Sequence, residues 1–358
     1  MSGERARPVV VITGAEGNIG RSIIAALEQD YTVVGLDREA GDDARIIAAD
    51  LSSAACVDAA LKQVRATHGE RLASVIHLAA YFDFTGEDHP LYKSLNVEGT
   101  RHLMRALQSF DVEQFVYAST MLVHAPGRAG EQIDEDRAID PQWVYPRSKA
   151  QAEAVLREEA GGMPVVILRL AGLYDEETMV PTLAHQIARI REKNVQSHLY
   201  SGDGEAGQAM LHRNDLVDAI RRTVACRAEL SNDVALLVGE AEAVGYATLQ
   251  DRIGALIHGS DGWTTLRVPK PLAAAGAWAQ DKLEPIIPDA IDKGEEPFIK
   301  PFMVAMADDH YALDISRARE LIGWSPRHRL LDTLPAMIAA LLRDPESWYE
   351  ANGVPTGG

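Results

Sequence analysis

The amino-acid sequence predicts an α/β protein, a doubly wound parallel sheet with a smaller C-terminal substrate-binding lobe. Three observations predict it. Apolar runs such as Val9-Val-Val-Ile12 and Pro164-Val-Val-Ile-Leu-Arg-Leu170 are continuous rather than alternating, as in strands buried on both faces of a parallel sheet. These runs alternate with segments of helical periodicity, as crossover connections require. Glycines at 14, 17 and 20 stand between the first strand and the first helix.

Val9 to Ile12 forms the first strand, and Arg21-Ser-Ile-Ile-Ala-Ala-Leu-Glu28 carries a helical apolar stripe. Between them Gly14 permits a tight turn, Gly17 lets the backbone approach a pyrophosphate, and Gly20 removes a side chain where the helix packs on the sheet. Asn18 and Ile19 open the helix, whose free N–H groups face the phosphates. A strand–turn–helix that needs small residues and binds nothing is the alternative. The second strand, Tyr31 to Leu36, ends in Asp37, in the window about 20 residues after the glycines where a carboxylate meets a ribose 2′-hydroxyl. That favours NAD over NADP, although the adjacent Arg38 is a potential 2′-phosphate ligand and Asp37 also reads as an ordinary turn residue.

Ala44 to Leu51 reads as a third strand. Asp50 at its end either accepts from an adenine amino group, with Leu51 along the ring, or caps the next helix, from about Cys56 to Thr67. Ala73 to Ala80 is a fourth strand whose small end leaves room for a cofactor, and His77 within it is expected to be a buried, hydrogen-bonded core histidine. Lys93 to Phe110 reads as a helix, Gln114 to Thr120 as a fifth strand ending in two hydroxyls, and Gln142 to Leu156 as a helix with Pro146 in its first turn. Pro164 to Leu170 is the sixth strand. Thr178 to Lys193 reads as a helix, Gly202 to Gly207 as a turn-rich loop, His212 to Ile220 as a helix, and Val234 to Val238 as a strand returning to the main sheet. Prolines 269, 271, 285 and 288 mark a further lobe. The division expected is a cofactor domain at 1–173 and 212–250, a substrate lobe at 174–211 and 251–345, and a tail at 346–358.

At 358 residues the chain is long enough for one α/β domain with an appended lobe, and 46% hydrophobic and 25% charged residues are ordinary for a globular protein. A formal net charge of −18 argues against nucleic acid or an anionic membrane surface as partner. Cys56 and Cys226 have no metal-ligand spacing and read as reduced thiols of a cytoplasmic protein, with no metal. No leader pattern precedes the first strand, and Leu334 to Leu342 is too short to span a bilayer.

Tyr145 and Lys149, four apart on one helix, share a face. A lysine cation beside a phenol favours the phenolate, and such a tyrosine exchanges a proton with an alcohol as hydride passes to or from a nicotinamide. Thr120 ends the fifth strand, where its hydroxyl can hold the substrate oxygen. Together with Thr13-Gly-Ala-Glu-Gly-Asn-Ile-Gly20, Asp50-Leu51, His77-Leu-Ala-Ala80, Asn96-Val-Glu-Gly-Thr100, Tyr117-Ala-Ser-Thr120, His212-Arg-Asn-Asp-Leu216 and Asp314-Ile-Ser-Arg-Ala-Arg-Glu-Leu-Ile-Gly-Trp-Ser-Pro326, the pair resembles the extended short-chain dehydrogenase/reductase superfamily. That branch includes the NAD-dependent nucleotide-sugar epimerases and dehydratases and the 3β-hydroxysteroid dehydrogenases. The resemblance implies a Rossmann-like domain with NAD at its carboxyl edge, NADP being less favoured. It implies Tyr145 as general acid/base, Lys149 on the nicotinamide ribose and tuning Tyr145, and Thr120 as the third catalytic hydroxyl, with Ser119 the lesser candidate. Leu78, Ala79 and Ala80 would line the cofactor, and Asn96 would support the active-site backbone.

Departures from the family pattern bear on the substrate. Where sugar-nucleotide enzymes carry an arginine four residues before the histidine at 212, this chain has Gln208, and the stretch Pro301 to Asp309 lacks the second diphosphate arginine. Positions expected to face substrate are apolar or aromatic: Tyr81 and Phe84 after the fourth strand, Met121 after Thr120, and Trp143 before Tyr145. They read equally as lobe packing. The expectation is an NAD(P)-dependent oxidoreductase acting on a less polar secondary alcohol or ketone. The alternative is an epimerase or dehydratase that retains NAD through an internal redox cycle. A small-molecule substrate and a homodimer complete the expected partners.

Overall fold

The structure, a computed structural model, describes residues 7–83, 86–192, 198–259, 263, 265–268 and 308–355. Seven parallel strands, β1 (Val9–Thr13), β2 (Thr32–Asp37), β3 (Ile46–Ala48), β4 (Ser74–His77), β5 (Phe115–Thr120), β6 (Val165–Leu170) and β7 (Asp233–Val238), form the main sheet. Their spatial order is β7-β6-β5-β4-β1-β2-β3. The chain winds outward in one direction through β2 and β3, then crosses back to β4 and winds the other way. A crevice therefore opens at the carboxyl ends of β1 and β4, where ligands of doubly wound sheets bind. The continuous apolar runs became these strands because both faces are covered: every residue of β6, Arg169 included, is buried. Only the middle of the expected third strand pairs.

Helix α1 (Asn18–Leu27) packs Ile23, Ile24 and Leu27 on one face of the sheet. Helices α2 (Ala54–His68), α3 (Glu98–Leu107) and α4 (Val144–Glu159) cover the other with Val57, Leu61, Leu103, Leu107, Ala152 and Leu156. Helix α5 (Pro181–Glu192) belongs to a separate core, whereas α6 (Arg213–Ala225) returns to the face of α1 with Leu216, Ile220 and Val224. Trp324 is fully buried there and its indole N–H donates to the Asp215 carbonyl at 3.0 Å, which ties the C-terminal segment to α6.

The separate core joins Leu183 and Ile187 of α5, Leu249 and Ile253 of α7 (Tyr246–His258), and residues of α9 (Leu330–Arg343), which follows α8 (Ser316–Ile322). Helix α10 (Pro345–Ala351) adds Trp348 and Tyr349, 4% and 3% exposed. Residues 346–355 are thus a packed helix and its end rather than the expected tail. Two large aromatic side chains supply enough apolar area to fix it. Leu249 likewise packs with this second core although the sequence placed it with the cofactor domain. Prolines 269, 271, 285 and 288 lie outside the described residues. No helix among the described residues is long and apolar enough to cross a membrane.

One local departure matters for the site. Instead of an uninterrupted helix over Lys93 to Phe110, residues Tyr92–Val97 form a π-helical turn that leads into α3. Such turns are rare and place side chains that a regular helix cannot.

Candidate active site

Gly14 has φ +71°, a value L side chains rarely adopt, and its N–H donates to the Leu36 carbonyl at 2.9 Å. A Cβ at Gly14 would stand 2.9 Å from the Ala79 backbone nitrogen, so the turn off β1 presses on the segment after β4. At Gly20 a Cβ would come within 2.3 Å of the Gly14 carbonyl oxygen. The third glycine thus lets α1 close on its own turn, rather than on the sheet as expected. Gly17, the N-cap of α1, has an ordinary φ of −68°, and a Cβ there would meet only the Gly14 oxygen, at 3.4 Å. Its open side faces a cleft of about 690 Å³.

Gly14, Gly17, Asn18, Ile19, Gly20, Asp37, Arg38, Asp50, Leu51, Leu78, Ala79 and Ala80 all border that cleft, together with Glu16, Ser52, Leu91 and Leu95, which the sequence did not single out. Asp37 is more than a turn residue, because its carboxylate accepts from the Glu16 N–H at 2.9 Å and the Arg38 N–H at 2.7 Å, fastening the glycine turn to the end of β2. Asp50 does not cap α2. Its carboxylate accepts from the Ser52 N–H and hydroxyl, which with the Arg38 charge hold it below the usual carboxylate range, while Ser53 caps the helix. An open glycine at a helix N-terminus, a carboxylate at the end of β2 and small residues after β4 fit a dinucleotide.

His77 is 1% exposed and fully hydrogen-bonded. The Thr100 hydroxyl donates to the Asn96 carbonyl at 2.7 Å and accepts from His77 Nε2 at 3.0 Å, so His77 Nδ1 accepts from the Thr13 hydroxyl at 2.7 Å. Thr13 Oγ1 in turn accepts from the Ala79 N–H at 3.3 Å. Burial and the Lys149 charge push the imidazole down to about 3. It is the core histidine the sequence suggested. Asn96, on the π-helical turn, accepts from the Tyr81 N–H at 2.7 Å and donates to the Tyr81 carbonyl at 3.0 Å and to Ser148 Oγ at 2.9 Å. Ser148 Oγ donates to the Tyr145 carbonyl at 2.8 Å, so Asn96 steadies both the segment after β4 and the first turn of α4.

Lys149 is buried, its Nζ donating to the Ala118 carbonyl of β5 at 2.8 Å and lying 4.7 Å from the Tyr117 ring centroid. Burial pulls the ammonium down to about 7 against the favourable charge of Glu153. Tyr145 is half-buried among aromatic rings, with Phe82 at 4.7 Å, Trp143 at 5.7 Å and Tyr92 at 6.5 Å. The sequence expected Lys149 to depress the Tyr145 pKa. Among the protein's own groups, burial first and then the Tyr92 phenol push it up, and Lys149 donates to the Ala118 carbonyl. Thr120 is 7% exposed and accepts from the Leu122 N–H at 3.3 Å, whereas Ser119 points to the other side and donates to Glu153 at 2.6 Å.

Of the positions expected to face substrate, Trp143 is beside Tyr145. Tyr81 stacks on His89 at 4.5 Å and meets Tyr92 edge-on at 5.0 Å. Met121 is corrected outright: the short 3₁₀ turn Met121–Val123 rotates it into the sheet core, 1% exposed. Phe84 lies outside the described residues. Phe82, between the two aromatic positions named individually in the run Tyr81-Phe-Asp-Phe84, is 43% exposed next to Tyr145.

The fold and site define an enzyme of the extended short-chain dehydrogenase/reductase type. The model of the NAD dependent epimerase/dehydratase family matches residues 10–236, and the chain belongs to that family. Its cofactor is NAD. The chain is 23% identical over 304 residues to "Sterol-4-alpha-carboxylate 3-dehydrogenase, decarboxylating" of Saccharomyces cerevisiae, covering 80% of each chain. It is 25% identical over 291 residues to the N-acetyl-alpha-D-glucosaminyl-diphospho-ditrans,octacis-undecaprenol 4-epimerase of Escherichia coli, covering 77% of this chain and 80% of that one. A short-chain dehydrogenase/reductase superfamily protein of Agrobacterium tumefaciens, solved with bound NAD, superposes with a TM-score of 0.65 at 19% identity, covering 96% of this chain and 98% of that one.

Proposed function

We propose that the protein transfers hydride between nicotinamide and a secondary alcohol or ketone of low polarity, with Tyr145 as general acid/base. Bound NAD supplies the hydride acceptor, or as NADH the donor. In reduction, the Tyr145 phenol gives its proton to the carbonyl oxygen as that oxygen gains charge; in oxidation, the phenolate takes the proton from the alcohol. With its pKa pushed up, Tyr145 stands as the neutral phenol, the form that donates. Thr120 holds the substrate oxygen, and Lys149 binds the nicotinamide ribose. The observation that carries the substrate class is the aromatic wall of Phe82, Trp143 and Tyr92 around Tyr145.

Gln208, which stands in place of an arginine, and the basic side chains Arg213 and Arg191 are committed elsewhere. Gln208 is hydrogen-bonded to Tyr246. Arg213 pairs with Asp175 at 2.6 Å and bonds Thr178, and Arg191 donates to the Tyr349 hydroxyl at 3.3 Å. A diphosphate needs charge-assisted contacts that these residues would have to abandon existing partners to make. The dehydrogenase activity for which the yeast relative is named supports the dehydrogenase reading. The epimerase activity for which the E. coli relative is named supports the alternative, an epimerase or dehydratase that retains NAD.

A thermal-shift screen with NAD, comparing UDP- and dTDP-sugars with hydroxysteroids, aryl alcohols and terpenoid ketones, separates the two, since ligand binding raises the stability of the folded state. The apolar ligands are expected to raise Tm; a shift by the nucleotide sugars alone overturns the substrate class. Tyr145→Phe is expected to lower turnover of whichever substrate emerges by about 100- to 10,000-fold with NAD affinity retained, and full activity overturns the mechanism.

A further inference from the structure

Beneath the candidate catalytic residues lies a buried ion pair that their proposed roles do not use. Glu153 sits one turn after Lys149 on α4 and is 1% exposed. Its carboxylate accepts from Ser119 Oγ of β5 at 2.6 Å and is gripped from β6 by Arg169, with Nε at 3.2 Å and Nη2 at 2.8 Å. Arg169, 3% exposed, spends its remaining nitrogen on the Glu135 carbonyl at 2.8 Å and on His124 Nε2 at 3.0 Å. A buried pair of this kind is seldom a net source of stability, because desolvation offsets the attraction. Its placement argues for another role. It bolts α4, which carries Tyr145 and Lys149, to the strand residue that precedes Thr120.

We propose that Glu153 is a positioning residue of this active site: held by Ser119 and Arg169, its carboxylate fixes α4 against β5 and supplies the buried negative charge that keeps Lys149 an ammonium able to donate to the cofactor ribose. The inference rests on the role given to Lys149 above. The groups facing Lys149 are His77 of β4, Tyr117 of β5 and Glu153 of its own helix, with Tyr145 beyond Tyr117; those facing Glu153 are Arg169, Arg157, Tyr117 and the neighbouring His124. Burial holds His77 at about 3 and His124 at about 4, and pushes both phenols up. Lys149, at about 7, is the member of this set that changes charge near neutral pH.

The test is the dissociation constant of NADH, followed by fluorescence from about pH 5 to 9, for the full-length protein and for Glu153→Gln, which keeps the shape and removes the charge. In the unmodified protein, affinity is expected to fall as pH rises through the Lys149 pKa. In Glu153→Gln the fall should begin lower by roughly 1 to 3 pH units, the effect of deleting an adjacent opposite charge. Glu153→Asp, which keeps the charge, should restore most of the original profile. A purely structural role would lower Tm and weaken NADH evenly at every pH. A folded Glu153→Gln whose profile overlays the original overturns the inference while leaving the role of Lys149 intact; an NADH affinity independent of pH in the unmodified protein overturns both. Should Glu153→Gln not fold, Ser119→Ala deletes a single hydroxyl from the same carboxylate and is expected to weaken NADH about 3- to 5-fold, the effect of one lost hydrogen bond. Unchanged NADH affinity in Ser119→Ala also overturns the inference.

Discussion

Gly17→Ala should separate stability from cofactor binding. The new methyl would stand 3.4 Å from the Gly14 oxygen, an ordinary contact, and φ of −68° suits alanine. Two small effects on stability oppose each other. Alanine is a poorer N-cap than glycine, by roughly 1 kcal/mol or less, while loss of glycine's freedom in the unfolded chain contributes about 0.4–1 kcal/mol the other way. Tm should therefore move by no more than a few degrees. The same methyl points into the 690 Å³ cleft, over the helix N-terminus that is to receive the pyrophosphate. Holding the phosphates off the N–H groups removes about two charge-assisted hydrogen bonds, about 3 kcal/mol or more, so NADH should bind at least about 100-fold more weakly by calorimetry. Gly20→Ala is the control. Its Cβ would lie 2.3 Å from the Gly14 oxygen, so both stability and binding should suffer, stability by about 1–3 kcal/mol. Gly17→Ala protein that melts normally and binds NADH as tightly as the parent would refute the placement of the pyrophosphate.

Asp37→Asn keeps an acceptor for the Glu16 N–H but removes the charge, so calorimetry should show NAD weakened about tenfold and NADP strengthened. Asn96→Ala deletes hydrogen bonds to the Tyr81 N–H, the Tyr81 carbonyl and Ser148, and should lower stability by about 3 kcal/mol, or about 4 °C in Tm, together with kcat. Glu240, 8% exposed, accepts from the Tyr174 hydroxyl and the Leu330 N–H, and burial pushes its carboxyl up to about 7. An acid whose folded pKa is raised binds its proton more tightly in the fold. Its contribution is therefore complete below the unfolded value and is lost as pH rises toward about 7. Urea melts of the parent should show that loss, at most about 3 kcal/mol, and Glu240→Gln should not.

What the sequence made legible was whatever depends on local pattern. The strands announced themselves as continuous apolar runs, and the glycine spacing pointed to the cleft that the structure places at Gly17. Interactions over long separations stayed hidden. Nothing in residues 92–97 distinguishes a π-helical turn from the helix it opens, so the reach of Asn96 to Ser148, 52 positions away, was not readable. Arg169 appeared only as one residue of the apolar run of the sixth strand, because its partner Glu153 looks like one more polar residue on a surface helix. Met121 was misplaced because it was assigned to the substrate side as an apolar residue directly after Thr120, whereas the chain there enters a 3₁₀ turn. The Trp348-Tyr349 pair after Pro345 was available as a signal of a packed terminal helix, and outweighs the polar residues around it.

The hydrogen bonds from the Ala79 amide through Thr13, His77 and Thr100 to the Asn96 carbonyl all point the same way along the chain. Each hydroxyl and the imidazole accepts at one side and donates at the other, so the sequence of links has a polarity. Such a line cannot be altered one member at a time: valine at 13 or 100 strands an imidazole nitrogen, and a residue with two donors at 77 opposes a neighbour that is already donating. Drift at positions 13, 77 and 100 among relatives should therefore be correlated, with threonine, histidine and threonine inherited or replaced as a set. The correlation couples the segment after β4, through Ala79, to the Asn96 backbone of the π-helical turn, so that a change at one end of the line is felt at the other.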